Sequence, residues 1–194
     1  EVRAPDGRPL PGAQVTVAMT RHAFQFSSVI QARRLVEDTP DNLIYRRKLV
    51  ELFNASGTEN DLKWPAWESQ AGGAYRQEQT LAALNWLRQQ GFHLRGHVLV
   101  WPSWRHLPRR VQELQGQPDA VRQAVLDHIA AMARATNPYL DEWDVINETR
   151  TNRQLMDLLG DDAMVEWFAA ARRAMPGKEL YINDFSILNG AGPG

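Results

Sequence analysis

Short apolar segments, each set apart from the next by a long amphipathic helix, limit most strongly how this chain folds. His93 to Trp101, Trp143 to Ile146 and Leu180 to Ile182 read as strands. Gln77 to Gln90 carries Leu81, Leu84 and Leu87 on one face and stops at Gly91. Pro118 opens a helix that reaches about Ala135, with Val121, Val125, Ile129 and Met132 in helical register. Thr39-Pro40 to Phe53 reads as an earlier helix, with Asp38 or Thr39 as its cap and Pro40 at the tolerated first position. Asp161 to Met175 reads as a later one, closed by Pro176-Gly177. Crossovers of this length join parallel strands. Strand starts near 24, 55, 94, 143 and 180 predict five parallel strands and four helices. A closed (β/α)8 TIM barrel takes about 250 residues, so the 194 residues here predict about its first five strands and four helices, an α/β fold.

The opening segment differs from this rhythm. Asp6-Gly7 and Pro9-Leu10-Pro11-Gly12 are turn chemistry, and Ala13 to Met19 alternates apolar and polar residues. They predict a short strand or hairpin leading into a second strand candidate at Phe24-Gln25-Phe26. The expected division is a β segment outside the barrel at 1–20 and barrel from 21 to 194, ending in the glycine-rich Gly190 to Gly194. At 43% hydrophobic the chain is too apolar for general disorder. Its 22 basic and 23 acidic side chains leave a net charge of −1, which argues against a nucleic-acid partner. No apolar run is long enough to cross a bilayer, in keeping with a mean hydropathy of −0.46. The absence of cysteine removes disulfides, thiolate chemistry and Cys-ligated zinc together, but does not decide the compartment. Glu1 to Gly7 carries no signal peptide, nor would the mature form of a secreted protein.

In parallel α/β folds the reactive groups sit at the carboxyl ends of the strands. After the second strand come Thr58-Glu59-Asn60-Asp61-Leu62-Lys63-Trp64, and the third ends in Gly96-His97-Val98-Leu99-Val100-Trp101. The fourth ends in Asn147-Glu148 and the fifth in Asn183-Asp184. The strand bodies are apolar while all four ends are polar or ionisable, which predicts a polar site. The chain has seven Trp, an unusual number, and Trp64, Trp67, Trp101 and Trp104 fall just after strands. Amide and carboxylate groups beside Trp suit a sugar, whose hydroxyl edges take hydrogen bonds and whose C–H faces stack on rings. No glycine-rich phosphate loop follows a strand.

These segments carry a resemblance. Trp143-Asp144-Val145-Ile146-Asn147-Glu148 resembles the acid/base signature of glycoside hydrolase family 10, the xylanase family. Arg95 to Trp101 resembles its third-strand motif, Thr58 to Trp64 its second, and Leu180 to Asp184 its fifth, in the family's order from about Phe24 to Leu188. The resemblance implies a barrel that cleaves internal β-1,4 bonds of xylan with retention, needs no cofactor or metal, and is secreted or periplasmic. It implies that Glu148 is the general acid/base and that Asn147 holds the 2-hydroxyl of the sugar being cleaved. Glu59, Asn60 and Lys63 match sugar-binding positions on the non-reducing side, and His97 and Trp101 match groups beside the scissile bond. Three departures matter. Pro102 stands where the family has a His, and Phe185 where a Tyr is common. The family's nucleophilic Glu ends the seventh strand, so the expected partner carboxylate lies beyond these residues, on the same polypeptide or on a second chain carrying the rest of the barrel. By itself this part is expected to be inactive.

The residues also admit plainer readings. Glu148 alone could be a surface carboxylate, and Glu59 with Lys63 a solvated ion pair. His93 and His97 share a strand face, which could suggest metal, but no third ligand falls in a recognisable frame. Trp86, Trp143 and Trp167 read as core, Trp101 and at least one other of the four as site residues, and Asn183 and Asp184 as either sugar contacts or braces. His22, His106 and His128 carry no functional signal. The alternative function is non-catalytic binding of xylan or a β-glucan, and a third reading keeps the hydrolase with another β-linked glucan.

Overall fold

A computed structural model of the chain describes residues 1–68 and 74–187. Five strands, β1 (Ser27–Ile30), β2 (Ala55–Thr58), β3 (His93–Val100), β4 (Glu142–Asn147) and β5 (Glu179–Asn183), form one sheet in sequence order. Every neighbouring pair is parallel. Among the described residues β1 and β5 each have a strand on one side only. The glycine-rich Gly190 to Gly194 lies outside the described residues.

The long crossover helices form where the apolar spacing places them. They are α2 (Pro40–Leu52), α4 (Gln77–Gln89), α6 (Pro118–Thr136) and α8 (Asp162–Ala174), with α1 (Ala32–Val36), α3 (Trp64–Trp67), α5 (Arg109–Gln112) and α7 (Gln154–Leu159) between them in chain order. Thr39 caps α2, its side chain accepting from the Asn42 N–H, with Pro40 at the first turn. In α6 Val121, Val125, His128, Ile129 and Met132 are buried, and in α8 Ala163, Trp167 and Ala171. These faces join one core with Leu84 and Leu87 of α4 and with Leu94, Trp143 and Val145 of the strands.

Four short helices, α1, α3, α5 and α7, were not anticipated. At four to six residues they are too brief to show a 3.6-residue period. The opening segment is a second difference. Its one pairing is an isolated antiparallel bridge from Arg3 to Pro9, and Ala13 to Met19 forms no strand. Val15, Val17 and Met19 are 66%, 88% and 72% exposed, so the alternation is real but has no sheet to bury it. The first strand also begins at Ser27 rather than within Phe24 to Phe26. The Phe26 carbonyl accepts from the Asn54 and Ala55 N–H groups, just ahead of the β1–β2 ladder.

Two close packings tie the sheet to its helices. Gly96 pairs with Trp143 across β3 and β4, and a Cβ at Gly96 would lie 2.4 Å from Cδ2 of that indole. Only a residue without a side chain lets the buried ring lie over β3. His128 of α6 stacks on Trp64 of α3, with centroids 4.0 Å apart and planes 9° from parallel. Burial pushes the His128 pKa down from 6.5 to about 3.

Two outcomes follow. Gly96→Ala overpacks the Trp143 contact and is expected to cost about 1–3 kcal/mol, read as a lower urea midpoint; an unchanged midpoint would refute the contact. Unfolded His128 takes up its proton near pH 6.5 and the folded form near 3. Neutral His128 therefore contributes stability that is complete above pH 6.5 and lost as the pH falls toward 3. Urea midpoints measured across that window are expected to fall more steeply with acid for the parent than for His128→Gln. Parallel pH slopes would show that His128 is not the group responsible.

Candidate active site

The inner face of the sheet is polar because alternate residues of the central strands point there. His93, Arg95 and His97 of β3 and Glu142 and Asp144 of β4 line a cleft of about 550 Å³. Buried charge must be paired to be tolerated, and here it is. Asp144, with a side chain 4% exposed, accepts from Nε and Nη2 of Arg95 through Oδ1. Its Oδ2 lies 2.9 Å from Nδ1 of His97. Burial works against the Arg95 charge, but the bonds to Asp144 and its attraction outweigh that and raise the Arg95 pKa. A proton on Nδ1 of His97 satisfies the carboxylate and leaves Nε2 as the other polar atom of the ring. His93 lies 3.4 Å from Glu142 and 3.6 Å from Asp141. Among the described residues no group of three or more His, Asp or Glu side chains is placed to hold a metal ion.

At the carboxyl end of β4 the chain turns sharply. Glu148 has φ 54°, a left-handed conformation uncommon outside glycine. Its N–H donates to the Asn183 carbonyl at 2.7 Å, and its own carbonyl accepts from the N–H groups of Thr151 and Asn152. The strained residue is thus held from both sides, which directs its side chain out of the ladder. Oε2 of Glu148 accepts from Nε1 of Trp101 at 3.1 Å and from Nδ2 of Asn152 at 2.9 Å. Next to it, buried Asn147 accepts through Oδ1 from Nδ2 of Asn183 at 2.8 Å.

The loop after β2 reaches the same place. Nζ of Lys63 donates to Oδ1 of Asn60 at 2.8 Å and lies 5.1 Å from the Trp101 ring centroid. Burial lowers the Lys63 pKa, against the opposing attraction of Glu59 and Glu148. Asn60 is half-buried and Glu59 exposed, its N–H donating to the Ile30 carbonyl. Glu59 lines the inner cleft with His97 and Asn183. Lys63, Trp101 and Glu148 therefore form one connected group with Asn60. Glu59 and His97 line the inner cleft, which buried Asn147 meets through its bond to Asn183. The solvated Glu59–Lys63 ion pair is not formed among the described residues.

Two of the four tryptophans are elsewhere. Trp64 and Trp67 are 3% and 6% exposed and belong to the core, because α3 folds their rings under the loop. Nε1 of Trp64 donates to Glu68, which Arg110 grips in turn. Trp104 is half-buried beside Asn152 and Arg105 in a shallower cleft. Phe185 is 48% exposed. Sequence reasoning missed Asn152 and His106. His106 stacks on Trp101 with centroids 3.4 Å apart. Asn152 lies four residues past Glu148 inside a turn that no periodicity marks.

Comparison with known proteins identifies the family. The family model of glycosyl hydrolase family 10 matches residues 16–192. The chain belongs to glycosyl hydrolase family 10. Endo-1,4-beta-xylanase 3 of Hypocrea jecorina is 30% identical over 159 residues, 77% of this chain and 45% of that protein. Anti-sigma-I factor RsgI6 of Acetivibrio thermocellus is 25% identical over 91% of this chain and 22% of its own length. The solved family 10 structure from Paenibacillus barcinonensis superposes with a TM-score of 0.71 at 21% identity, over 84% of this chain and 51% of that one. The family 10 chain thus spans about half the length of the relatives it matches, or less, and its sheet is part of a barrel. No helix among the described residues is long and apolar enough to cross a membrane.

Asp144 provides the test of this geometry. Loss of one partner of a fully buried pair costs about 3–5 kcal/mol. Arg95 is 38% exposed and can turn to water, so Asp144→Asn is expected to destabilise by about 1–3 kcal/mol. Denaturant unfolding checks this, and a change under about 0.5 kcal/mol would place Asp144 among ordinary surface carboxylates.

Proposed function

We propose that this family 10 chain forms the acid/base half of a retaining glycoside hydrolase that cuts internal β-1,4 bonds of xylan. The single observation that carries the reading is Glu148. Its carboxyl group stands at the carboxyl end of β4 with Oε2 engaged and Oε1 without a hydrogen-bond partner among the described residues. Retention takes two carboxyl groups about 5–5.5 Å apart. Glu148 is assigned the proton chemistry, and the nucleophilic Glu is assigned to strands beyond β5. Those strands complete the barrel on the same polypeptide or on a second chain. The similarity to xylanases such as the Hypocrea jecorina protein supports xylan as the substrate class.

In the first step Glu148 gives a proton to the glycosidic oxygen as the nucleophile attacks the anomeric carbon. In the second it takes a proton from the water that releases the sugar. Asn147 has Oδ1 engaged by Asn183, so Nδ2 is the donor it offers to the 2-hydroxyl. Glu59, Asn60 and Lys63 bind the sugar on the non-reducing side, and His97 and Trp101 flank the bond that breaks. Residues 21–194 are assigned to the barrel and 1–20 to a segment outside it. A polymeric substrate too large to enter a cell favours a secreted or periplasmic enzyme.

A second reading, non-catalytic binding of xylan or a β-glucan, is favoured by the similarity to a protein named as an anti-sigma-I factor rather than as an enzyme. One variant separates them. In the polypeptide as its gene encodes it, Glu148→Gln is expected to lower xylan hydrolysis at least about 100-fold. Binding of xylo-oligosaccharides, followed by calorimetry, is expected to stay within about threefold. Added azide, which needs no general base, is expected to rescue turnover of an activated aryl glycoside. Ordinary xylan hydrolysis by the Gln variant would overturn the assignment, and absence of hydrolysis by the parent would favour the binding protein.

In the same polypeptide, Lys63→Ala removes a donor from the sugar edge and is expected to raise KM about 10-fold or more. Steady-state kinetics on xylo-oligosaccharides decides this, and an unchanged KM would remove Lys63 from the binding site.

A further inference from the structure

The two oxygens of Glu148 are not equivalent. Oε2 receives hydrogen bonds from both Trp101 Nε1 and Asn152 Nδ2, at 3.1 and 2.9 Å. A carboxyl oxygen has two lone pairs, and here both are used. A proton on Oε2 would turn an O–H toward two N–H donors and break at least one of these bonds. On Oε1 it leaves both intact.

Each donor is held in turn by the single turn of 3₁₀ helix Trp104–His106. The Trp101 indole lies flat on the His106 imidazole, 3.4 Å between centroids and 7° from parallel. Nε of Arg105 donates to Nε2 of His106 at 3.0 Å, and Nη2 lies 3.5 Å from Oδ1 of Asn152. Asn152 is 3% exposed, and its N–H donates to the Glu148 carbonyl at 3.0 Å. Burial, with the Arg105 and Lys63 cations nearby, lowers the His106 pKa to about 4. Above that pH the ring is neutral and its Nε2 lone pair can accept from Arg105. An imidazole reaches Trp101 from this turn.

We propose that Asn152 and the His106-backed Trp101 clamp Oε2 of Glu148, so that the proton exchanged in the reaction travels on Oε1. Asn152 and His106 are then positioning residues, acting through Glu148 and Trp101. The proposal rests on the acid/base reading of Glu148. In the first step the Oε1–H bond breaks as the glycosidic oxygen gains the proton and leaves as a hydroxyl. In the second, Oε1 regains a proton from the attacking water, whose oxygen bonds to the anomeric carbon as the bond from that carbon to the nucleophilic carboxylate breaks and the carboxylate is released.

The test compares two substrates for variants of the polypeptide as its gene encodes it. A xylo-oligosaccharide has a poor leaving group and needs a well-placed acid; a dinitrophenyl xylobioside has a good one and needs little. Asn152→Leu and His106→Ala are expected to lower kcat/KM on the oligosaccharide about 10–100-fold and on the aryl substrate less than about threefold. His106→Phe keeps a flat ring against Trp101 and is expected to restore most of the loss. Should Asn152→Leu fail to fold, Asn152→Ser removes the same donor with a polar side chain, and the same split is required of it. Equal losses on both substrates, or a Phe variant as impaired as the Ala variant, overturn the clamp. Glu148→Gln run beside them separates the two claims. If it selectively loses the oligosaccharide while the other variants do not, the clamp alone is wrong; if it keeps oligosaccharide hydrolysis, the acid/base reading is wrong.

Discussion

The buried carboxylate of Asp144 is the interaction on which the rest of this half-barrel depends. It sits on the inner face of β4 and takes hydrogen bonds from Arg95 and His97 of β3. Its neighbour in sequence, Trp143, lies on the other side of the sheet, over Gly96. Two consecutive residues of β4 thus fix the same two-strand pairing from opposite faces, one by charge and one by close packing. A slip of one residue would put the charge into the helix layer and the indole into the cleft. That double cost sets the register that carries Trp101, at the end of β3, to Glu148, just past the end of β4.

A polar interior is the consequence of building a sheet whose inner face holds a site. Arg95 faces Glu142 and Asp144 along β3 and β4, with the His93 ring beside Glu142, and the apolar core lies outside the sheet, against α4, α6 and α8. Buried ion pairs of this kind contribute little net stability, since desolvation offsets most of their attraction. Their effect is geometric, because each partner has one low-energy place to be. His97 and the mouth of the cleft inherit that rigidity.

The strain at Glu148 belongs to the same design. A left-handed glutamate costs on the order of 1–3 kcal/mol, and persists only where its surroundings impose it. Here the bond from its N–H to β5 and the turn closed by Asn152 do so. The stacking of Trp101 on His106 and the bond from Lys63 to Asn60 are local in sequence. Setting Lys63 beside Trp101, and Trp101 against Glu148, needs the β2, β3 and β4 ends to be adjacent.

What the sequence by itself determined is the order of strands and long helices and the polar character of the strand ends. Periods of two and of 3.6 residues are local properties, and the Val121 to Met132 stripe of α6 shows its buried face without any knowledge of a partner. The motifs around Glu59, His97 and Glu148 were legible for the same reason, as unbroken runs of residues. The tertiary structure decided what depends on distance in space. It sent Trp64 and Trp67 into the core although they follow a strand just as Trp101 does, because α3 turns back under the loop. It left Ala13 to Met19 unpaired despite the strand-like alternation of Ala13 to Val17, because a strand is stable only beside another. It brought Asn152, and His106 through Trp101, 46 residues apart by number, to the same oxygen of one carboxyl group, which no period or spacing encodes.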